Sequence, residues 1–157
     1  MKVTYIAAGI AAILTIGILT MSNRKNRNVR NNNPLNIRAT DTQWNGAVGD
    51  DGEFVRFESP EMGFRAAYKT LMTYLNHHGL DTIEGIVSRW APSNENHTDG
   101  YIAYIREKMG IRPDVFNMWD DTVPMERYAE LIYWMAEMEG AKGAFTMEQI
   151  ERGIALA

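Results

Sequence analysis

The sequence predicts a mainly helical domain of the α+β class, with one β-hairpin near its start, behind an N-terminal transmembrane helix. Three observations support this fold class: an uncharged apolar run near the N-terminus, a Gly/Asp turn between aromatic and β-branched residues, and a series of helical segments with recognisable caps. A chain of 157 residues has room for one modest globular domain beyond such a helix.

Residues 3–21 form the uncharged run, and its length is close to the roughly 20 residues that span a bilayer. We therefore expect a membrane-anchored protein that contacts the lipid through residues 3–21. A cleaved signal peptide is the alternative, although no A-x-A cleavage site follows the run. Four basic residues follow the run and Lys2 precedes it, so the positive-inside rule places the C-terminal body in the cytoplasm.

Charge separates the chain into two parts. Residues 1–30 contain five basic residues and no acidic one, whereas residues 31–157 contain eleven basic and all 20 acidic residues, a balance of −9. A strongly acidic body argues against a nucleic-acid partner. The absence of cysteine excludes a disulfide scaffold, a thiolate metal site and a cysteine nucleophile.

The order of elements follows from local signals. We predict an anchor over residues 1–22, a polar basic linker over 23–33 and a domain over 34–157. Residues 43–57 surround a Gly-Asp-Asp-Gly turn with aromatic and β-branched side chains, which is typical of a β-hairpin. Ser59 and Pro60 then begin a helix that runs to about His78, where Gly79 stops it.

Four shorter helices complete the predicted domain. Asp81 and Glu84 form a capping-box pattern that begins a helix ending at Trp90, and Thr146 and Gln149 form another for a last helix to about residue 156. Between them, helices are predicted over residues 98–109 and 124–139, each followed by a glycine.

The chemistry that the residues allow points to carboxylates. No H-E-x-x-H, G-x-S-x-G or phosphate-binding glycine loop is present, so neither a metal nor another cofactor is expected, and His77 and His78 read as a solvated helix end. Glu95 lies in an irregular stretch, where a catalytic and a loop-bracing role are both open. Glu137 and Glu139 end an apolar helix, a setting that raises a carboxyl pKa and suits a general acid; a solvated last turn is the alternative.

Two stretches carry a resemblance to a known family. The first is R-N-N-N-P-L-N-I-R over residues 30–38, followed by W-x-G at 44–46 and G-F-R-A at 63–66; the second is R-W-A-P-x-x-E-N-x-T-x-x-Y over residues 89–101. Together they resemble the virion-associated murein hydrolases of phages in the lysozyme-like superfamily, a group that includes the lytic enzyme of enveloped double-stranded RNA phages. The resemblance covers about residues 30–157.

The resemblance implies a lysozyme-like fold and cleavage of the peptidoglycan glycan strand by a glutamic acid. In similar bacterial glucosaminidases that glutamate precedes the hairpin. Here no acidic residue precedes Asp41, so we expect the helix over 124–139 to supply it through a circular rearrangement. Relatives end that helix in His-Glu-Asn-Gly. Aligning on the first three residues selects Glu137, whereas aligning on the glycine leaves Glu139 beside the position. The substrate-binding residues implied are Asn33, Asn36, Arg38, Trp44 and Tyr101, with core packing as the alternative for Trp44 and Tyr101.

The expected function is therefore membrane-anchored degradation of peptidoglycan during phage genome delivery or host lysis, at a virion internal membrane or the host inner membrane. The body is expected to act on the periplasmic side, in conflict with the orientation that the positive-inside rule gives, and other virion membrane proteins are expected as partners. A lytic transglycosylase is favoured over a muramidase because no second carboxylate stands out. Two alternatives are a non-catalytic virion structural protein with a retained lysozyme-like fold and a bacterial membrane-bound remodelling enzyme.

Overall fold

The computed structural model describes residues 27–92, 97–112 and 120–157. Over these residues the chain forms helices around a core, with a small antiparallel sheet on one side. The elements are α1 (Arg27–Arg30), β1 (Ala47–Asp50), β2 (Val55–Phe57), α2 (Pro60–His78), α3 (Ile83–Trp90), α4 (Thr98–Lys108), a 3₁₀ turn (Met125–Arg127), α5 (Tyr128–Met138) and α6 (Met147–Ala155).

The predicted fold class needs correction at its membrane helix. Within the described ranges, no helix combines the length and the apolar character that crossing a bilayer requires. Helix α2 reaches 19 residues, but it carries charged side chains, and it packs against α6, where Glu61 pairs with Arg152 at 2.8 Å. The fold that the structure supports is helical with a two-stranded sheet, and the run over residues 3–21 lies outside the described residues.

The local signals for the hairpin and two helices are confirmed. Strands β1 and β2 pair antiparallel around the Gly/Asp turn. Ser59 caps α2 by accepting a hydrogen bond from the backbone N–H of Met62, and Gly79 ends that helix in the left-handed region at φ 63°. Thr146 and Gln149 form the predicted capping box of α6.

The start of α3 differs from the prediction. Its cap is Thr82, whose hydroxyl accepts the N–H of Gly85 at 3.1 Å, and not Asp81. The backbone carbonyl of Asp81 instead accepts the N–H of Val123 at 2.7 Å, so that position ties α3 to the segment before α5. Helix α5 itself begins four residues after Pro124, because a 3₁₀ turn intervenes.

One buried cluster joins the helices. Helix α6 lies along α2, and Gly153 makes this approach possible: a Cβ there would lie 2.7 Å from both the carbonyl oxygen of Glu61 and the Cβ of Phe64. A second, smaller cluster of Val55, Phe57 and Ala66 fixes the hairpin on α2. The largest fully buried side chains of the main cluster include Tyr128, Phe64, Leu35, Leu71, Ile83, Ile86, Ile105, Leu131, Ile132 and Met135.

Residues 27–33 belong to the domain, although the sequence predicts a linker up to residue 33. Asn33 is fully buried, and its amide donates to the carbonyls of Ile37 and Val55, both at 2.9 Å, while its oxygen accepts the N–H of Ile37 at 2.8 Å. The Asn32 amide donates to the carbonyl of Phe57 at 3.0 Å. The polar run is therefore attached along strand β2 by side-chain hydrogen bonds.

An ion pair holds the start of this segment on the hairpin turn. The Arg27 guanidinium contacts both carboxylate oxygens of Asp51 at 2.6 Å and reaches Glu53 at 2.7 Å. The bonds from Arg27 hold the pKa of the Asp51 carboxyl well below its usual range. Helix α1 is thereby anchored next to strand β2 even though it is one turn long.

Gly63 is the position where α2 and the asparagine-rich segment come closest. We predict that Gly63→Ala destabilises the protein by about 1–3 kcal/mol, because its Cβ would lie 2.1 Å from the backbone oxygen of Asn32. Gly100→Ala in α4 is the matched control, since a Cβ there meets nothing within 4 Å. Urea unfolding should show the control unchanged or stabilised by up to about 1 kcal/mol. Equal effects at the two glycines would contradict this account of the contact.

Candidate active site

Glu139 stands at the C-terminal end of α5, where its side chain turns toward the N-terminal segment. Its own N–H still bonds to the carbonyl of Met135 at 2.9 Å, and Gly140 follows at a φ of 103° and ends the helix. The carbonyl oxygen of Glu139 lies 3.4 Å from the amide nitrogen of Asn28 and 3.5 Å from that of Asn36. Asparagine side chains thus partner a carbonyl that the helix leaves unpaired.

Three side chains surround the Glu139 carboxyl. The amide of Asn36 donates to Oε2 at 3.0 Å, and the hydroxyl of Tyr101 contacts Oε1 at 3.3 Å. The Trp90 side chain is the third hydrogen-bonding neighbour. The acid is therefore held by residues from the asparagine-rich segment, from α4 and from the end of α3.

Burial raises the pKa of Glu139 above its ordinary value of 4.5, although the hydrogen bonds from Asn36, Tyr101 and Trp90 each act in the opposite direction. The C-terminal end of a helix adds negative potential, which also disfavours an ionised carboxyl. Burial and the neighbouring Glu139 in turn raise the pKa of Tyr101, so its hydroxyl keeps its proton. A carboxyl whose pKa is shifted upward in this way keeps its proton to a higher pH than a solvated glutamate, which is the direction that a general acid requires.

The carboxyl opens into a cavity of about 150 Å³. Its lining combines apolar and aromatic side chains with an amide, one carboxyl group and one guanidinium: Leu35, Asn36, Arg38, Phe54, Trp90, Ala91 and Glu139. Arg38 lies over the ring of Phe54 at 5.6 Å and pairs with Glu53 at 3.2 Å. Among the described residues, Glu139 is the one carboxylate that lines this cavity.

The other two candidate acids do not share this position. Glu137 points away from the cavity and accepts the backbone N–H of Gly143 at 2.7 Å on the exposed side of α5. Its bond closes the loop after the helix. Glu95 lies outside the described residues.

The residues predicted to bind substrate divide into two groups. Asn36 and Arg38 line the cavity beside Glu139. Asn33 and Tyr101 are buried, with 0% and 4% of their surfaces exposed, so neither presents a face to a ligand. Trp44 packs with Ile37 and Met62 on the small hairpin cluster and does not line the cavity.

Sequence reasoning passed over three residues that contribute to the site. Trp90 and Phe54 line the cavity, and Asn28 holds the carbonyl of Glu139. Trp90 lies within the second family-like stretch, so its sequence context carried a signal. Asn28 carried none, because an asparagine in a polar basic run is also what a linker contains.

A larger cavity of about 460 Å³ lies along α4, away from Glu139. Its Arg106 contacts Asp121 at 2.7 Å and Glu84 at 2.8 Å. Asp121 also accepts the N–H of Glu84 at 3.1 Å, so this cluster joins α3, α4 and the segment before α5. We assign it a structural role because its charged groups are engaged with each other.

Metal chemistry has no visible centre in the part of the chain that the structure describes. Over those residues, no group of three His, Asp or Glu side chains is placed to hold a metal ion. His77 and His78 are exposed in the last turn of α2, and His97 is exposed just before α4.

Comparison with known proteins identifies a relative along nearly the whole chain. No protein-family model matches the chain. The chain is 36% identical to Protein P5 of Pseudoalteromonas phage PM2 over 159 aligned positions, which cover 98% of this chain and 96% of that protein. Identity at that level over nearly the whole of both chains places the two proteins in one family.

We predict that Glu139→Gln stabilises the protein at neutral pH by about 0.5–2 kcal/mol. The pKa of Glu139 is higher in the folded protein than in the unfolded chain. The protonated carboxyl therefore stabilises the fold at a pH below the unfolded-state pKa, and this stabilisation is lost as pH rises through the folded-state pKa. Glutamine has no charge to bury, so the variant escapes this loss. Urea unfolding should show the gain near pH 7 and little difference near pH 4.

Glu137→Gln is the control for that measurement, because it makes the same change on the exposed side of α5. It should alter stability by less than about 0.5 kcal/mol at either pH. A Glu139→Gln variant that is less stable than the parent at neutral pH would show that burial does not dominate the environment of this carboxyl.

Proposed function

We propose that this chain, which belongs to the family of Protein P5 of Pseudoalteromonas phage PM2, is a phage enzyme that degrades the peptidoglycan glycan strand. The observation that carries the proposal is the partly buried Glu139 carboxyl, whose pKa is raised and which lines a cavity together with Asn36, Arg38 and Trp90. Glycosidic cleavage needs an acid that keeps its proton to a higher pH than a solvated carboxyl does, and burial moves the pKa of this carboxyl in that direction.

In the proposed reaction, Glu139 donates its proton to the glycosidic oxygen while the bond from that oxygen to C1 of muramic acid breaks. The ionised Glu139 then removes the proton from the 6-hydroxyl of the same sugar, and the bond between O6 and C1 forms. The product is a 1,6-anhydro sugar and no water is consumed. A single acid performs both proton transfers, which is in keeping with one carboxylate among the described residues that line the cavity.

The volume of the cavity sets the part of the substrate that it can admit. At about 150 Å³ it is smaller than the pockets of roughly 300–1,000 Å³ that enclose drug-sized ligands. One linkage and the groups around it would enter, while the rest of the strand would lie on the surface. Trp90 and Phe54 offer aromatic surface at the lining, and Arg38 offers a positive charge for an acidic substituent of the glycan.

The small cavity also favours one second candidate, a non-catalytic virion structural protein. In that case the buried acid would be a remnant that lowers stability at neutral pH. Two further expectations stay predictions: a role in genome delivery or host lysis, and action on the periplasmic side. Contact of residues 3–21 with a bilayer also stays a prediction, and these residues lie outside those described.

The test is a zymogram with the full chain in a gel that contains peptidoglycan. We expect clearing by the parent protein, a loss of at least about 100-fold for Glu139→Gln, and activity within a few fold of the parent for Glu137→Gln. Glu95→Gln examines the third acid. Clearing that survives Glu139→Gln would refute the assignment of the acid, and no clearing by the parent would favour the structural candidate.

Mass spectrometry of the soluble products separates the two enzyme classes. A transglycosylase releases anhydro-muropeptides that are one water lighter than the products of a hydrolase. We expect the anhydro form, because the described lining offers no second carboxylate to activate a water molecule. Fully hydrated products would show that a second residue acts as base.

A further inference from the structure

Two of the three hydrogen-bonding neighbours of the Glu139 carboxyl contact different oxygens, and the third, Trp90, has an indole N–H that only donates. Oε2 faces the amide nitrogen of Asn36 at 3.0 Å, and Oε1 faces the hydroxyl of Tyr101 at 3.3 Å. An amide nitrogen only donates hydrogen bonds, whereas a hydroxyl both donates and accepts them. The two oxygens are therefore not equivalent as places for a proton.

The orientation of the Asn36 amide follows from a second contact. Its nitrogen also lies 3.5 Å from the backbone oxygen of Glu139, and a carbonyl oxygen only accepts. Turning the amide over would set two acceptors against each other at that carbonyl and would leave Oε2 without a donor when it is ionised. The N–H of Asn36 is therefore the group that faces Oε2.

The backbone around Asn36 fixes this placement. Asn36 adopts a left-handed conformation at φ 52°, which asparagine tolerates better than most residues. Its N–H bonds to the carbonyl of Asn33 at 3.1 Å, and the buried side chain of Asn33 holds both backbone groups of Ile37. The residue after Asn36 is thus held by the buried amide of Asn33, and Asn36 itself by the backbone carbonyl of Asn33.

We propose that Asn36 is a positioning residue that assigns the acidic proton of Glu139 to Oε1. A proton on Oε2 would meet the N–H of Asn36 head on, because both groups are donors. A proton on Oε1 has an acceptor in the Tyr101 hydroxyl, which then donates to the carbonyl of Met135 at 3.4 Å. When Glu139 is ionised, the same hydroxyl turns its hydrogen to Oε1.

The position of the proton does not depend on the proposed function. Only one consequence rests on that function, namely that the proton donated in the cleavage reaction leaves from Oε1. Asn36 then acts on the reaction without touching the substrate, through the oxygen that it keeps unprotonated. Tyr101 serves both protonation states of the acid, so its loss removes a partner from each state. The loss of Asn36 removes a partner from the ionised state alone.

The first test follows the Glu139 carboxyl by ¹³C NMR titration of the full chain. Asn36→Gly keeps the left-handed backbone and removes the donor, so we expect the titration midpoint to rise by about 0.5–1 pH unit. Asn36→Asp should raise it further through its own negative charge. Tyr101→Phe should raise it less than Asn36→Gly does.

Asn32→Gly is the matched control. Asn32 has a similar backbone angle, φ 48°, and its amide donates to the carbonyl of Phe57 and not to Glu139. It should leave the midpoint unchanged, which separates loss of the donor from loss of any buried asparagine. An unchanged or lowered midpoint in Asn36→Gly overturns the proposal, as does a larger rise in Tyr101→Phe.

Neutron diffraction from crystals of the parent protein, kept at a pH below the midpoint, locates the proton directly. We expect deuterium on Oε1 of Glu139, and deuterium on Oε2 overturns the proposal. Neither measurement depends on lysis, so a parent protein that fails to clear peptidoglycan would refute the proposed function and leave this result standing. If the parent is active, the alkaline limb of its pH–rate profile should move in Asn36→Gly with the NMR midpoint.

Discussion

Side-chain amides of asparagine connect the parts of this protein that the backbone alone leaves apart. Asn32 and Asn33 donate to carbonyls of strand β2, and Asn28 and Asn36 donate to the carbonyl of Glu139. Each such bond contributes only about 1 kcal/mol on balance, but leaving the partners unpaired in a buried setting costs about 1–3 kcal/mol per group. The N-terminal segment is therefore held in place largely by hydrogen bonds between its asparagine side chains and backbone carbonyls of the fold.

The end of α5 is where the asparagine side chains meet the candidate acid. Carbonyl groups at a helix C-terminus lack partners within the helix, and their negative potential disfavours a nearby carboxylate. The asparagine-rich segment supplies the missing donors and at the same time covers the carboxyl of Glu139. One set of contacts thus ends the helix and partly buries the acid, and this burial raises the pKa of Glu139 although the hydrogen bonds oppose the shift.

Such a site opposes stability. A carboxyl whose pKa is higher in the fold than in the unfolded chain weakens the folded state as pH rises through that interval. The surrounding structure compensates with the large cluster around Phe64 and Tyr128 and with close packing at Gly63 and Gly153.

Elements with local causes could be predicted from the sequence. Ser59, Gly79 and the Thr146–Gln149 pair act within one turn of themselves, so their patterns identify helix ends without tertiary information. The run over residues 27–33 could not be assigned, because asparagines that pair with a distant strand look the same as asparagines in solvent. The transmembrane part of the predicted fold class has no counterpart among the described helices.

The choice between Glu137 and Glu139 shows the same limit at one residue's scale. Two positions along a helix differ by about 200° in direction, so a small uncertainty in alignment decides which acid lines the cavity. Tyr101 and Asn36 contact Glu139, and neither contact is local in sequence.

The separation of Asn36 and Glu139, 103 positions in the sequence, carries a consequence for how the protein is made. Contacts between distant residues require closure of a long loop, and they form after local helices and hairpins. Synthesis produces Asn36 103 positions before the acid. A chain released before residue 139 has no such acid, so the site forms only after that residue has been added.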